Sequence, residues 1–496
     1  MFRTISMEIL SLLLFTPLLA IFILSVVPRE KTHQIRILAN VFATLALLIS
    51  CWLIFVYDQT NGALQLTEQF LLNPKLGTSF ALGIDGLSLP MVFMTTLLTS
   101  VCLLASFNIS TNIKSYYISV LMLELGMLGV FLAQDWSLYY IFWELTLAPL
   151  FLLIGRWGGA RRHMASLNFV LYTMGGSIFM LISLLAISQY VPDHGGTLMS
   201  TMTIAAQSMP RNEQIFVLIG FLIGFGVKIP IFPLHGWLPL AHVEAPSPVS
   251  ILMSGILLKM GAYGLIRAVV MLPEATLVLQ PFLVTLALVG MIYGGLLAWR
   301  QSDLKAMVAY SSVSHMGIVL LGIATLNETG MTGAIIQMTA HGLIAGGMFL
   351  LVGLLYERTH TRNILDYSSL VQVMPRFAFF MTITFLAAMG LPGTVGFIAE
   401  LHTFVGGYQE WGNLIIFLEA SILISSAYAM RTISMLFTGP VKSHMREIED
   451  LKLYELMAAG MLVIAIVVLG IWPTPLIELS SSTINVVSNI ISEHIR

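Results

Sequence analysis

The chain has 496 residues, of which 57% are hydrophobic and 10% charged, and its mean hydropathy is +0.90, whereas a soluble domain carries about 25% charged residues. Apolar surface on that scale must face lipid, which excludes a soluble globular protein. The net charge of -2 excludes a nucleic-acid binder or a polybasic surface protein. The two cysteines, Cys51 and Cys102, have no C-x-x-C spacing, which excludes an iron–sulfur site, a zinc ribbon or a disulfide framework in this chain.

At about 20 apolar residues per span, the sequence predicts an all-α polytopic membrane protein of about 14 transmembrane helices. They begin near Ile5, Ile37, Leu87, Tyr116, Ser137, Ser166, Gln214, Val249, Leu277, Leu304, Met331, Ala378, Trp411 and Tyr454. Arg3 precedes the first apolar run as in a signal peptide, but residues 25–29 offer no small-residue cleavage site, so this run is read as a retained span. After Pro475, Leu476, Leu479, Val486, Val487, Ile490 and Ile491 recur at helical spacing among Ser and Asn, which predicts a helix lying along the membrane surface. Sixteen of the 23 basic residues, among them Arg161, Lys305, Arg358 and Arg362, fall in loops after odd-numbered spans. Arg3, Lys75, Arg211, Arg267 and Arg496 fall in the other loops and termini, so both termini are expected on the positive side of the membrane.

Lys228 and Lys259 remain inside spans. A charge at mid-membrane costs at least about 2.5 to 3.5 kcal/mol on the insertion scale, so it faces a polar interior, pairs or neutralises. Lys228 precedes Pro230 and Pro233, which break the helix and free carbonyls as in a discontinuous helix lining a cavity. A lysine snorkelling from a span end is the bland alternative there, and a weaker one at the more central Lys259. The acidic residues within spans are Glu8, Glu124, Glu144, Glu400 and Glu419. Glu8 is close enough to an end to be solvated. Glu144 follows Trp143, and Glu400 follows a second Gly/Pro break at Gly390-Leu391-Pro392-Gly393, so each could neutralise a lysine or take up a proton. Glu124 and Glu419 read equally well as protonated carboxyls bonded to a neighbouring helix. His315 and His341 suit a relay between lysine and carboxylate, with structural histidines as the even alternative and bis-histidine haem as a weaker one.

The broken seventh and twelfth spans lie five apart, which fits two five-span units, spans 4 to 8 and 9 to 13. Five is odd, so the copies are inverted, and paired interrupted helices in inverted repeats point to a transport path. Prolines scattered by chance among Gly-rich spans are the alternative. The chain then divides into residues 1–115 with three spans, repeats at 116–271 and 272–440, and 441–496 with the last span and the surface helix.

These residues together resemble the antiporter-like subunit 4 (subunit M, chain 4) family of complex I, the proton-pumping NAD(P)H:quinone oxidoreductase. The resemblance covers nearly the whole chain. It is carried by the stretch from Val227 to Arg267 (VKIPIFPLHGWLPLAHVEAPSPVSILMSGILLKMGAYGLIR), supported by Gly83-Ile84-Asp85-Gly86, Phe142-Trp143-Glu144, Ser302-Asp303-Leu304-Lys305, Tyr310 to Gly317, Tyr356 to Asn363 and Leu391-Pro392-Gly393-Thr394. Gly236 and Leu240 depart from the Thr and Asp common in relatives. The resemblance implies a proton relay in which Glu144 and Lys228 are the ion pair of one half-channel, Lys259 the centre, His315 and His341 the connection, and Glu400 the carboxylate of the second half-channel. It implies no cofactor in this chain, with flavin or ferredoxin, iron–sulfur clusters and quinone belonging to partner subunits. Partners would be the other membrane-arm subunits and the redox arm. The forms it looks closest to are cyanobacterial or chloroplast, which implies plastoquinone, a thylakoid membrane and, in divergent cyanobacterial complexes, carbon dioxide uptake. Three rival readings remain: a subunit of a multi-subunit cation/proton antiporter, which shares the lysines and broken helices; a non-pumping scaffold; and a solute transporter, for which no additional ligand cluster is evident.

Overall fold

The computed structural model describes residues 8–74, 77–192 and 196–493, without the side chains of residues 414 and 417–419. Arg3, Ile5, Lys75, Arg496 and the Glu419 carboxyl therefore lie outside the described residues. Among the described residues, twelve helices are long and apolar enough to cross a membrane. They are Ile9–Val26, Thr32–Val56, Ser88–Asn108, Ile113–Leu132, Trp136–Trp157 and Arg162–Ser188 (spans 1 to 6), Ser247–Met271, Pro273–Arg300, Leu304–Ala324 and Glu328–Thr359 (spans 8 to 11), and Ala420–Phe437 and Leu453–Ile471 (spans 13 and 14). The two remaining expected spans are the interrupted ones. Span 7 is Arg211–Lys228 followed by Trp237–Glu244, and span 12 is Pro375–Ala388 followed by Val395–Trp411.

Burial sorts the spans into an inner and an outer set. The apolar windows of spans 8, 10 and 11 are 100%, 94% and 100% buried, whereas those of spans 1, 2, 6 and 9 are 39%, 28%, 39% and 33% buried and present Phe22, Phe55, Ile182 and Phe282 outward. A helix apolar all round must be surrounded by protein or by lipid. The inner set carries Lys259, His315 and His341. The helix packing repeats: span 6 packs on span 7 as span 11 packs on span 12, and span 5 on span 6 as span 10 on span 11.

The basic loops gather on one face. Lys114 Nζ donates to Ser25 O and Val27 O, Arg36 to Ile109 O, Arg161 pairs with Glu244, and Arg358 with Glu455. Two basic residues assigned to loops are instead part of helices, Arg267 half-buried and Lys305 buried. Arg267 pairs with Asp85 at 2.5 Å, and Lys305 is 4% exposed and donates to Ala245 O. Both lie inside long helices whose neighbours close over them, a tertiary effect invisible to a count of charges.

On the opposite face a two-stranded antiparallel hairpin departs from the all-helical expectation: β1 (Gln65–Asn73) pairs with β2 (Thr78–Ile84). Glu68 on β1 is buried and accepts from Leu10 N, Ser11 N and Ser11 Oγ, satisfying free amides at the start of span 1. The helix expected after Pro475 is Thr474–Glu493. It crosses the hairpin face, where Ser482 Oγ donates to Gln59 O and Gly86 N donates to Thr483 Oγ1. Leu476, Leu479, Val487 and Ile491 form its buried stripe.

Candidate functional site

The first half of span 7 ends at Lys228 because Pro230 and Pro233 have no N–H with which to continue it. The lysine is 1% exposed. Its Nζ lies 3.7 Å from the centre of the Trp143 ring, 3.2 Å from Thr146 Oγ1 and 3.5 Å from Trp143 O. Span 5 supplies all three contacts because it is itself interrupted at Thr146, between Trp136–Leu145 and Leu147–Trp157, just before Pro149. Among the described residues there are four side-chain ion pairs, and none joins Lys228 to Glu144. Glu144 Oε1 is buried with no hydrogen-bond partner among the described residues. The pair that the resemblance implies is therefore not in direct contact in this structure: Glu144 stays near enough to act on the charge of Lys228, while the groups that touch the ammonium are neutral.

Lys259 is fully buried on span 8, two residues after the end of a π-helical turn, Met253–Leu257. A π-turn displaces carbonyls from the regular i to i+4 ladder and is frequent at functional sites. Here the Ser254 carbonyl, five residues before the lysine, accepts from Lys259 Nζ at 2.6 Å. The same Nζ lies 2.6 Å from Nδ1 of His341 on span 11.

From His341 the line continues to His315 on span 10, with ring centres 5.8 Å apart. His315 Nδ1 is 3.4 Å from Nε2 of Gln337, one helical turn before His341. His315 Nε2, His341 Nε2 and Gln337 Oε1 are buried without hydrogen-bond partners among the described residues. These groups border a cavity of about 10 Å³ that Ala387, Gly396 and Glu400 close on the far side. That volume stands at the lower edge of what one water needs, and the lining offers the polar partners a buried water requires. Glu400 is 5% exposed and faces the break in span 12: a Cβ on Gly390 would stand 2.3 Å from Glu400 Oε2.

The structure thus joins Lys259, His341, His315 and Glu400 around one interior line and sets Lys228 with Trp143 and Thr146 at another break, with Glu144 beside them in sequence. Glu124 has both carboxyl oxygens buried without hydrogen-bond partners among the described residues. Sequence reasoning missed Thr146, Gln337 and the Ser254 carbonyl. Thr146 could have been found as a hydroxyl three residues before a proline and two after Glu144, and Gln337 as an amide four residues before an intramembrane histidine. The carbonyl carried no sequence signal. Imidazole can accept a proton at one nitrogen and release it from the other, so a lysine bonded to Nδ1 of a histidine with a free Nε2 is a competent proton-transfer element.

The family described as NADH:quinone oxidoreductase/Mrp antiporter, transmembrane, matches residues 133–425. The chain is 37% identical to NAD(P)H-quinone oxidoreductase chain 4 2 of Thermosynechococcus vestitus, over 98% of this chain and 92% of the relative. It is 39% identical to NAD(P)H-quinone oxidoreductase chain 4 1 of a Picosynechococcus species, over 92% and 87%. Among solved structures, a chain of respiratory complex I from Thermus thermophilus with bound NADH superposes with a TM-score of 0.87 at 30% identity, covering 96% of this chain and 99% of that one. The Mrp complex of a Dietzia species gives a TM-score of 0.82 at 22% identity, over 98% of this chain and 52% of that one, a likeness of fold. With its breaks, its buried lysines and these relatives in agreement, the chain belongs to the chain 4 family of NAD(P)H-quinone oxidoreductases, the antiporter-like membrane subunits of complex I.

Proposed function

We propose that the chain is a proton-translocating membrane-arm subunit of a complex I-type quinone oxidoreductase, coupling electron transfer in other subunits to proton movement through its own interior. The observation that carries this reading is the direct contact of Lys259 Nζ with His341, continued by His315 and a small cavity that borders both histidines and Glu400. Electron transfer elsewhere shifts the charge balance along the membrane arm and parts Glu144 from Lys228. A lysine without its counter-charge in a poorly solvated site gives up its proton more readily, and Lys259 receives it. His341 and His315 then pass a proton to Glu400, which releases it on the far side. Residues 116–271 and 272–440 act as two inverted units, each contributing one interrupted helix.

Flavin or ferredoxin, iron–sulfur clusters and quinone reside in partner subunits on this reading. The cyanobacterial relatives favour a thylakoid membrane, and the distribution of basic residues favours both termini on the lumen side. The test is proton pumping per quinone reduced by assembled complexes in sealed vesicles. Lys228→Ala and Glu400→Gln lose this chain's share of pumping; normal pumping by either variant overturns the reading.

A further inference from the structure

Four observations converge on Trp143. First, its ring face and carbonyl, with the Thr146 hydroxyl, are the groups contacting the Lys228 ammonium, and none of them is an anion. Second, Thr146 Oγ1 donates its own hydrogen to Trp143 O at 2.7 Å, which leaves its lone pairs for the ammonium. Third, the indole is fully buried, yet its Nε1 has no hydrogen-bond partner among the described residues. The ring therefore meets the ammonium through its face and not through its N–H. Fourth, the orientation is fixed by aromatic neighbours: Tyr139 stacks on it at 5.8 Å, and Phe225, from the same helix as Lys228, meets it edge-on at 5.6 Å. Tyr139 in turn donates from its hydroxyl to Met260 O, next to Lys259, at 3.0 Å. This tie depends on Gly264, where a Cβ would stand 2.5 Å from the Tyr139 hydroxyl.

We propose that Trp143 and Thr146 form a neutral docking station that holds the Lys228 ammonium while it is parted from Glu144, with Trp143 as the positioning residue. The proposal rests on the relay reading above and adds a second, defined resting place for the lysine. A carboxylate would hold the cation and compete for its proton. An aromatic face attracts the cation through its quadrupole and has no site for the proton, so the charge is kept in place and remains transferable. The stack through Tyr139 sets the position of this station relative to the span that carries Lys259.

The test uses the assembled complex in sealed membrane vesicles, with proton pumping measured per quinone reduced. Trp143 is replaced site-specifically by mono-, di- and trifluorotryptophan, which weaken the ring quadrupole stepwise at nearly constant shape, and by Phe and Leu in Trp143→Phe and Trp143→Leu. Pumping falls in order along the fluorinated series, reaching about a tenfold loss at trifluorotryptophan, with Trp143→Phe intermediate and Trp143→Leu lowest. Thr146→Ser retains pumping and Thr146→Val loses part of it. A flat fluorinated series, with Phe and Leu variants indistinguishable, overturns the docking station. Lys228→Ala is run alongside: if it pumps normally the relay reading itself fails, and if it loses pumping while the fluorinated series stays flat, only the station fails.

Discussion

Two glycines at the break of span 12 show how single positions serve different ends. Gly390 and Gly393 both have left-handed backbone, with φ of +72° and +91°. A side chain in that region costs about 1 to 2 kcal/mol at either site. Their surroundings differ. A Cβ at Gly390 would press on Glu400 Oε2 at 2.3 Å, whereas one at Gly393 would meet nothing within 4 Å. Gly393→Ala is therefore expected to lower thermal stability by that strain alone and to leave pumping intact. Gly390→Ala carries the same strain and also displaces the Glu400 carboxyl, so pumping per quinone falls severalfold. Thermal melting of the assembled complex and vesicle pumping, measured on both variants, check the contrast. Equal pumping would mean that Glu400 tolerates the displacement.

At the scale of elements, the interior is held in register by polar ties between a loop and a helix. Asp85 precedes span 3, where its Oδ1 accepts from Leu87 N and Ser88 N while Oδ2 pairs with Arg267 near the end of span 8. The Arg267 guanidinium also lies over the Tyr263 ring at 4.9 Å. Removing one partner of a buried pair leaves an uncompensated charge and costs about 3 kcal/mol or more, less where water reaches it. Asp85→Ala is expected to reduce the amount of intact complex on native gels, and adding Arg267→Met to recover a part of it. No recovery would assign the loss to the missing helix cap. This tie also marks what the sequence made legible. Lys228, Lys259, His315, His341 and Glu400 stand out as ionisable residues in apolar runs, and both breaks are visible as Gly/Pro clusters, because the penalty of charge in lipid and the chemistry of proline are local. Pairing is not local. Whether Lys228 faces Glu144 or Trp143 depends on how spans 5 and 7 meet, and Arg267 and Lys305 read as loop residues although neighbouring helices enclose them. The hairpin escaped notice because β2 runs straight into the apolar pattern of span 3 and β1 exposes Phe70, Leu71 and Leu72 in succession without a clean alternation.

At the scale of the whole molecule, the broken spans 7 and 12 flank one buried centre, and this order predicts how mutations combine. The Lys228 end and the Glu400 end lie on different spans, and the contact between Lys259 and His341 sits on the fully buried spans 8 and 11 between them. If a proton passes through these groups in series, blocking either end stops the same current. The double variant Lys228→Ala/Glu400→Gln is then no worse than the more severe single variant, because groups that act as a unit are strongly non-additive. His341→Leu, which removes the contact with Lys259, lowers pumping to that same residual level. Independent half-sites behave otherwise, with the fractional losses of the two single variants multiplying in the double. Pumping per quinone reduced, compared across the two singles, the double and His341→Leu at equal complex content, separates the two arrangements. Multiplied losses, or a His341→Leu variant above the common floor, would mean that protons cross by routes that do not share the centre.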